Sequence, residues 1–340
     1  MNGAAELKRY KSEVSRERIR LALLLLALLA AAALWRIGAG EWEIPAGRVA
    51  ALLSPFLDEA SRASPEALVV RAVRLPRFLA SVAAGGLLAV SGVVLQGILA
   101  NPLAEPYTLG IAAGAAFGGA LGFFFGAGAV TPMAFAGALA ALWMVSMIAM
   151  RSGGGAAYIV LAGIITNAVL SAGVTFLKAI ADDRLSAIVL WLMGSLSGAS
   201  PAAAWSAWAA AALLFVPAFV WARHIDAVSM GEGQGELLGI NERRLRLVML
   251  TLASLSTAVA VSFFGIIGFV GLVVPHLMRS VIGPATRPLL VLSFLGGALL
   301  LSVADGAAQQ MGELPVGVIT ALIGGPFFCW ILTSRRRGAR

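Results

Sequence analysis

Charge is what this chain has least of. Asp, Glu, Lys and Arg make up 12% of its 340 residues, about half the share of a typical soluble domain. It has three lysines, Lys8, Lys11 and Lys178, and none follows a glycine. A GxxxxGK[ST] phosphate loop is therefore impossible, so the chain does not hold ATP in that way. The two histidines, His224 and His276, stand far apart, with no HExxH or paired-histidine metal pattern. The one cysteine, Cys329, cannot close an internal disulfide. These scarcities leave no catalytic or metal-binding pattern, and no cofactor is expected on this chain.

What abounds is uncharged sequence, with 60% of residues hydrophobic. Residues 78–104, 106–150, 152–177, 185–222, 247–278, 288–304 and 314–334 carry no Asp, Glu, Lys or Arg. A bilayer core of about 30 Å takes about 20 apolar residues per helix. A soluble protein could not cover so many such runs with so little polar surface. The sequence predicts an all-α polytopic membrane protein. Its formal net charge of +8 is not a nucleic-acid signal, because the basic residues sit in short knots at the ends of apolar runs.

Those knots set the topology. Spans are expected near 19–37, 78–100, 107–126, 132–150, 156–178, 202–222, 247–264, 267–282, 288–305 and 315–333. With the N-terminal tail in the cytoplasm, ten crossings return the tail arginines Arg335, Arg336, Arg337 and Arg340 to the same side. Arg151, Arg223, Arg243, Arg244, Arg246, Arg279 and Arg287 then also fall inside, so most basic residues are cytoplasmic. The basic N-terminus before Leu21–Leu34 also fits a cleaved signal peptide, but the charge alternation needs this run as the first helix. Residues 185–198 are too short to cross and are expected as a short helix at the outer interface. Residues 247–278 must hold two passes, and at 1.5 Å per residue at least one is short.

Gly114, Gly118, Gly122 and Gly126 form one small-residue groove for close helix packing. Pro76, Pro102, Pro106, Pro132, Pro201, Pro275, Pro288 and Pro315 are expected at helix starts and in loops. Pro217 falls inside the sixth span, where it should kink the helix. Asp305 and His276 are the ionisable groups nearest membrane depth. Asp305 is expected as a helix-end carboxylate and His276 as a hydrogen-bonded structural histidine at a helix start.

Three stretches are not generic. The first runs from Arg74-Leu-Pro-Arg77 through Gly92-Val-Val-Leu-Gln96-Gly to Asn101-Pro102-Leu-Ala-Glu-Pro-Tyr-Thr-Leu-Gly110. The second is Gly265-Ile-Ile-Gly-Phe-Val-Gly-Leu-Val-Val-Pro275-His276-Leu-Met-Arg279. The third is Glu313-Leu-Pro315-Val-Gly317-Val-Ile-Thr-Ala-Leu-Ile-Gly-Gly-Pro-Phe-Phe328. In this order and spacing the chain, from about Arg20 to Leu332, closely resembles the FecCD-type permeases, the transmembrane subunits of type II ABC importers for ferric siderophores, haem and cobalamin.

The resemblance implies a homodimer of ten-helix subunits embedded in membrane lipid. Two separate ATP-binding subunits dock on the cytoplasmic face and use the ATP and Mg, and an extracytoplasmic substrate-binding protein delivers the ligand. The setting is the inner membrane, with both termini cytoplasmic and no role for nucleic acid. Residues 1–18 form the N-terminal tail, 19–333 the permease domain with its coupling loop at 228–242, and 334–340 a basic C-terminal tail. The ATPase-coupling residues implied are Met230, Gly231, Glu232, Gln234, Glu236, Leu237, Leu238 and Gly239. Gly235 stands where relatives usually have Ala. Arg74 and Arg77 match outer-face arginines that meet acids of the binding protein. Gln309 stands where relatives have a further arginine after Asp305. The implied cargo is a ferric siderophore first, then cobalamin, then haem. A stand-alone ion-coupled carrier is the other reading of such a bundle, and the shortage of buried charge counts against it.

Overall fold

The computed structural model describes residues 3–40, 42–54, 64–152 and 155–334, with side chains between residues 14 and 329. Arg62 and residues 335–340 of the basic tail lie outside the described residues. Among those described the chain is helical, without strands. The order is α1 (Gly3–Gly38), α2 (Ala46–Leu53), α3 (Pro65–Ile98), α4 (Ile111–Phe125), α5 (Val130–Arg151), α6 (Ala156–Ala179) and α7 (Leu185–Leu192). Then come α8 (Pro201–Val220), α9 (Ala222–Ser229), α10 (Gln234–Leu237), α11 (Glu242–Phe264), α12 (Val270–Ile282), α13 (Thr286–Gln310) and α14 (Val316–Ser334). Seven are long and apolar enough to cross a bilayer, and α4, α12 and α14 are shorter apolar helices. Together they give the ten expected passes.

α3 is the axis of the bundle. From Pro76 to Ile98 every residue but Leu79 is buried. It packs on α8, α11, α12 and α13, and small residues set the distances. A Cβ on Gly92 would lie 1.8 Å from the Gly271 carbonyl of α12, and one on Gly85 2.3 Å from that of Gly297 in α13. The glycine groove of α4 packs as expected on α5, where a Cβ on Gly118 would meet the Met133 carbonyl at 2.0 Å. Gly126 is not part of that contact, because it ends α4 at φ 107°.

Two prolines depart from the expected punctuation. Pro76 lies inside α3, not at its start: residues 69–74 form a π-turn, and Leu75 N–H bonds to the Val70 carbonyl. The wider turn places the proline where its missing N–H breaks no regular ladder. Pro275, with His276 after it, lies mid-helix in α12. The short pass is α12, with 13 residues. Non-helical backbone from Gly265 to Phe269 leads into it. In a membrane such backbone needs internal partners. Tyr107 supplies one, its hydroxyl donating to the Ile267 carbonyl at 2.6 Å and accepting from Ile267 N–H at 3.1 Å. Pro201 opens α8, and Pro217 stands in its last turn before the chain turns into α9.

Candidate functional site

The segment between α9 and α11 is short, glycine-rich and largely exposed. Gly231, Gly233 and Gly239 take positive φ angles around the four-residue α10. Met230, Glu232, Gln234, Glu236, Leu237, Leu238 and Gly239 are all exposed. Met230, Leu237 and Leu238 are 75, 81 and 68% exposed, an apolar group raised on a polar stretch. Beneath it, Glu242 and Arg246 of α11 are buried. Glu242 Oε1 accepts from Gly235 N–H at 2.7 Å and Oε2 from Arg246 Nη2 at 2.8 Å. Arg246 Nε donates to the Ile98 carbonyl of α3 at 3.1 Å. In the sequence Arg246 figures only in a basic knot and Glu242 only as the last residue of the loop; an acid and a base four apart at a helix start is the signal of their pairing.

Three of the motif positions, Gln96, Pro275 and Arg279, meet at the α3–α12 contact. Pro275 has no N–H to give the Gly271 carbonyl, four residues before it. Gln96 Nε2 donates to that carbonyl at 3.3 Å, and Gln96 Oε1 accepts from Arg279 Nη1 at 2.9 Å. Asn101 and Pro102 shape the loop after α3, where Asn101 Oδ1 takes Leu103 N–H at 2.9 Å. Gly110, at φ 78°, starts α4. Pro315 precedes α14. Gly317 lets α14 approach the loop after α7, since a Cβ there would lie 2.1 Å from the Met193 carbonyl. His276 is half-buried on α12.

At the other end of the bundle, the two candidate docking arginines are occupied. Arg77 is 6% exposed. Its Nε and Nη2 donate to the two oxygens of Asp305 at 2.9 Å each, and Nη1 donates to Glu313 at 2.9 Å. Arg74 donates to the carbonyls of Ile37, Gly38 and Trp42 at 2.8, 3.0 and 2.6 Å. Both are ties from α3 to its neighbours rather than free guanidinium groups. Arg36 of α1 pairs with Asp305 and with Gln309. The cation beside Gln309 thus comes from α1. Asp305, 1% exposed, is the centre of this cluster and not an exposed helix-end carboxylate.

Between these ends lies a cavity of about 490 Å³. Its wall includes Glu105 and Tyr107 after α3, Asn167, Ser171, Thr175 and Lys178 of α6, and Phe269 of the unwound segment. Asn167, Ser171, Thr175 and Lys178 recur at helical spacing and make one polar stripe along an apolar helix. That spacing was readable in the sequence and was passed over. Burial pushes the Glu105 carboxyl up to about 7, and its Oε2 has no hydrogen-bond partner among the described residues. On the same helix Leu161, Ile164, Ile165 and Val169 are exposed.

The bundle thus combines an exposed glycine-rich segment, non-helical backbone beside a polar-walled cavity and a buried ionic tie at the far end, and it can be compared with known proteins. The model of the FecCD transport family matches residues 20–334. The chain is 39% identical over 280 residues to the cobalamin import system permease of Halobacterium salinarum, covering 79% of this chain and 74% of that one. It is 39% identical to the hemin transport system permease of Yersinia pestis, covering 78% and 83%. It is 32% identical to the molybdate import system permease of Haemophilus influenzae, covering 92% and 94%. Among solved structures, an inward-facing metal-chelate type ABC transporter superposes with TM-score 0.81 at 30% identity, covering 93% of this chain and 99% of that one. The ten-helix bundle described here therefore belongs to the FecCD transport family of ABC importer permeases.

Proposed function

We propose that this chain is the permease subunit of an ATP-driven importer that moves a metal chelate across the inner membrane by alternating access. The observation that carries the reading is the exposed trio Met230, Leu237 and Leu238. Large apolar side chains gathered on a polar surface segment mark a protein contact. Two separate ATP-binding subunits fit there, and the ATP and Mg are theirs. The permease itself makes and breaks no bonds. It switches access because the ATPase binds its two states with different affinity.

The exposed face of α6 supports the homodimer. Lipid accepts Leu161 and Val169, but a stripe of Asn167, Ser171 and Thr175 at membrane depth belongs beside water or protein. A second copy facing α6 would close the cavity into a shared pathway. A soluble binding protein delivers the ligand at the opposite end, where Arg74 and Arg77 act by holding the rim together. A ferric siderophore is the first candidate cargo, followed by cobalamin and haem. Relatives named for cobalamin, hemin and molybdate share this family, which supports a reading in which side chains of the cavity wall, not the fold, select the cargo.

The test is Leu238→Asp. It should weaken association with the ATPase subunit at least tenfold, about 1.4 kcal/mol, while the permease stays folded and inserted. Unchanged association would remove the segment from the mechanism. Orientation is checked in a Cys329→Ser background with an impermeant thiol reagent on intact cells. Arg62→Cys should label and Ser12→Cys should not.

A further inference from the structure

We propose that Arg246 and Glu242 are positioning residues that carry displacement of the cytoplasmic segment into the ends of α3 and α6. This rests on the reading of residues 228–242 as the ATPase-facing segment.

The covalent links of that segment are pliant. α10 is one turn long, flanked by Gly231, Gly233 and Gly239 at positive φ. A push on Leu237 or Leu238 is poorly transmitted through such backbone. The firm link is non-covalent. Gly235 N–H meets Glu242 Oε1 at 2.7 Å, and Glu242 Oε2 holds Arg246 at 2.8 Å. Both side chains are nearly sealed from water, at 3 and 6% exposure. A buried ion pair is rarely the most stabilising choice, since apolar residues of like volume often do as well. What it adds is directional contact.

The far ends of the link are helix termini. Arg246 Nε takes the Ile98 carbonyl, in the last turn of α3, where carbonyls lack intrahelical partners. Glu232 Oε1 lies 3.8 Å from Arg246 Nη1 and accepts the Ala156 N–H that opens α6, at 3.3 Å. One guanidinium therefore stands between the segment, the axial helix and the helix that carries the polar cavity stripe. Glu232 is exposed, so its contribution is screened, and the buried pair dominates. The glycine at 235 follows from the same geometry. A methyl there would lie 2.9 Å from the Glu242 carboxylate and 3.0 Å from Val228, so alanine would push Glu242 off its contact.

The experiment uses the permease assembled with its ATPase subunits in lipid nanodiscs. It carries Cys329→Ser and the cavity reporter Ser171→Cys. The labelling rate by a hydrophilic maleimide is measured with and without ATP and Mg. The reporter protein should change its rate on adding ATP. Arg246→Met should keep the ATPase bound and hydrolysing yet reduce that ATP-dependent change at least about fivefold, with Arg246→Lys in between. A purely structural tie would lower the yield of folded complex but leave the response per assembled complex intact. An undiminished response in Arg246→Met overturns the proposal. If that variant does not assemble, Gly235→Ala displaces Glu242 without removing a charge and should show the same loss. A full response there also overturns it. If the reporter protein itself binds no ATPase subunit, the functional reading fails first and the relay with it.

Discussion

Arg77 holds Asp305 through two parallel hydrogen bonds, Nε to Oδ2 and Nη2 to Oδ1, each 2.9 Å long and buried. The two residues are 228 apart in sequence and belong to α3 and α13, which pack extensively on each other. Arg36 joins them from α1, and Glu313 accepts from Arg77 at the exposed edge. Two cations and two carboxylates balance, with Arg36, Arg77 and Asp305 buried and Glu313 exposed at the edge. The cluster fastens α1, α3 and α13 at one end of the bundle.

Removing one partner strands the other. Arg77→Ala leaves Asp305 with Arg36 alone and Glu313 with neither, and breaking a buried pair costs about 3–5 kcal/mol. The expected result is a large loss of denaturant resistance for purified protein in mixed micelles. Arg77→Lys should recover only part of it, because an ammonium cannot reproduce the planar fork. A loss below about 1 kcal/mol would mean the cluster behaves as a solvated surface pair.

Gln96 and Pro275 are coupled through the Gly271 carbonyl, which the proline leaves free and the glutamine amide fills. Gln96→Leu should destabilise by about 1–3 kcal/mol, the cost of a buried unsatisfied group. Pro275→Ala restores an N–H that can reach that carbonyl within the helix. In the Pro275→Ala background Gln96→Leu should therefore cost less, by about 1 kcal/mol. Additive stabilities in this double-mutant cycle would show that the two residues act independently.

The ten passes were legible because charge-free length and basic knots are one-dimensional properties, and α7 and the split at Pro201 followed from counting residues against bilayer thickness. Pro76 and Pro275 were misplaced for one reason. Proline at a helix start is the common case, and only the π-turn at 69–74 and the Gln96 side chain make the interior positions tolerable. The π-turn is adjacent to Pro76 but carries no sequence signature, and Gln96 lies far from Pro275 in sequence. The ties of Arg77 were not legible because Asp305 and Glu313 come from more than 200 residues away, and those of Arg74 because its partners are the backbone carbonyls of Ile37, Gly38 and Trp42. The exposure of most of residues 230–239 was legible because a short glycine-rich polar segment between basic knots has nowhere to be buried.

The glycine groove of α4 makes a graded prediction. A Cβ on Gly118 would lie 2.0 Å from backbone, which cannot yield as a side chain can. Gly118→Ala should destabilise by about 1–3 kcal/mol through forced separation of α4 and α5. Gly325 of α14 has nothing within 4 Å of the same added atom. Gly325→Ala should be neutral or stabilising by up to about 1 kcal/mol, the helix-propensity gain. Equal effects at the two sites, measured by thermal midpoint in the same detergent, would argue against close backbone packing.

Glu105 predicts a pH dependence with a definite sign. It sits in the loop between α3 and α4, lines the cavity, and burial raises its carboxyl from 4.5 to about 7. Between those values the folded chain keeps a proton that the unfolded chain has released. Stability then falls as pH rises. The contribution is fully favourable below 4.5, declines through the interval, and levels off above about 7, where the charge must be carried in a poorly solvated place. Glu105→Gln keeps the shape and removes the ionisation. The variant should therefore lose part of the decline in thermal midpoint between pH 5 and pH 8 and be the more stable protein at pH 8. Tyr107, which the same burial pushes above its ordinary value, stays neutral throughout and keeps its bonds to Ile267, so it does not add to the slope. Parallel pH profiles for wild type and variant would place the Glu105 carboxylate in bulk water, and the cavity wall would then carry no buried acid.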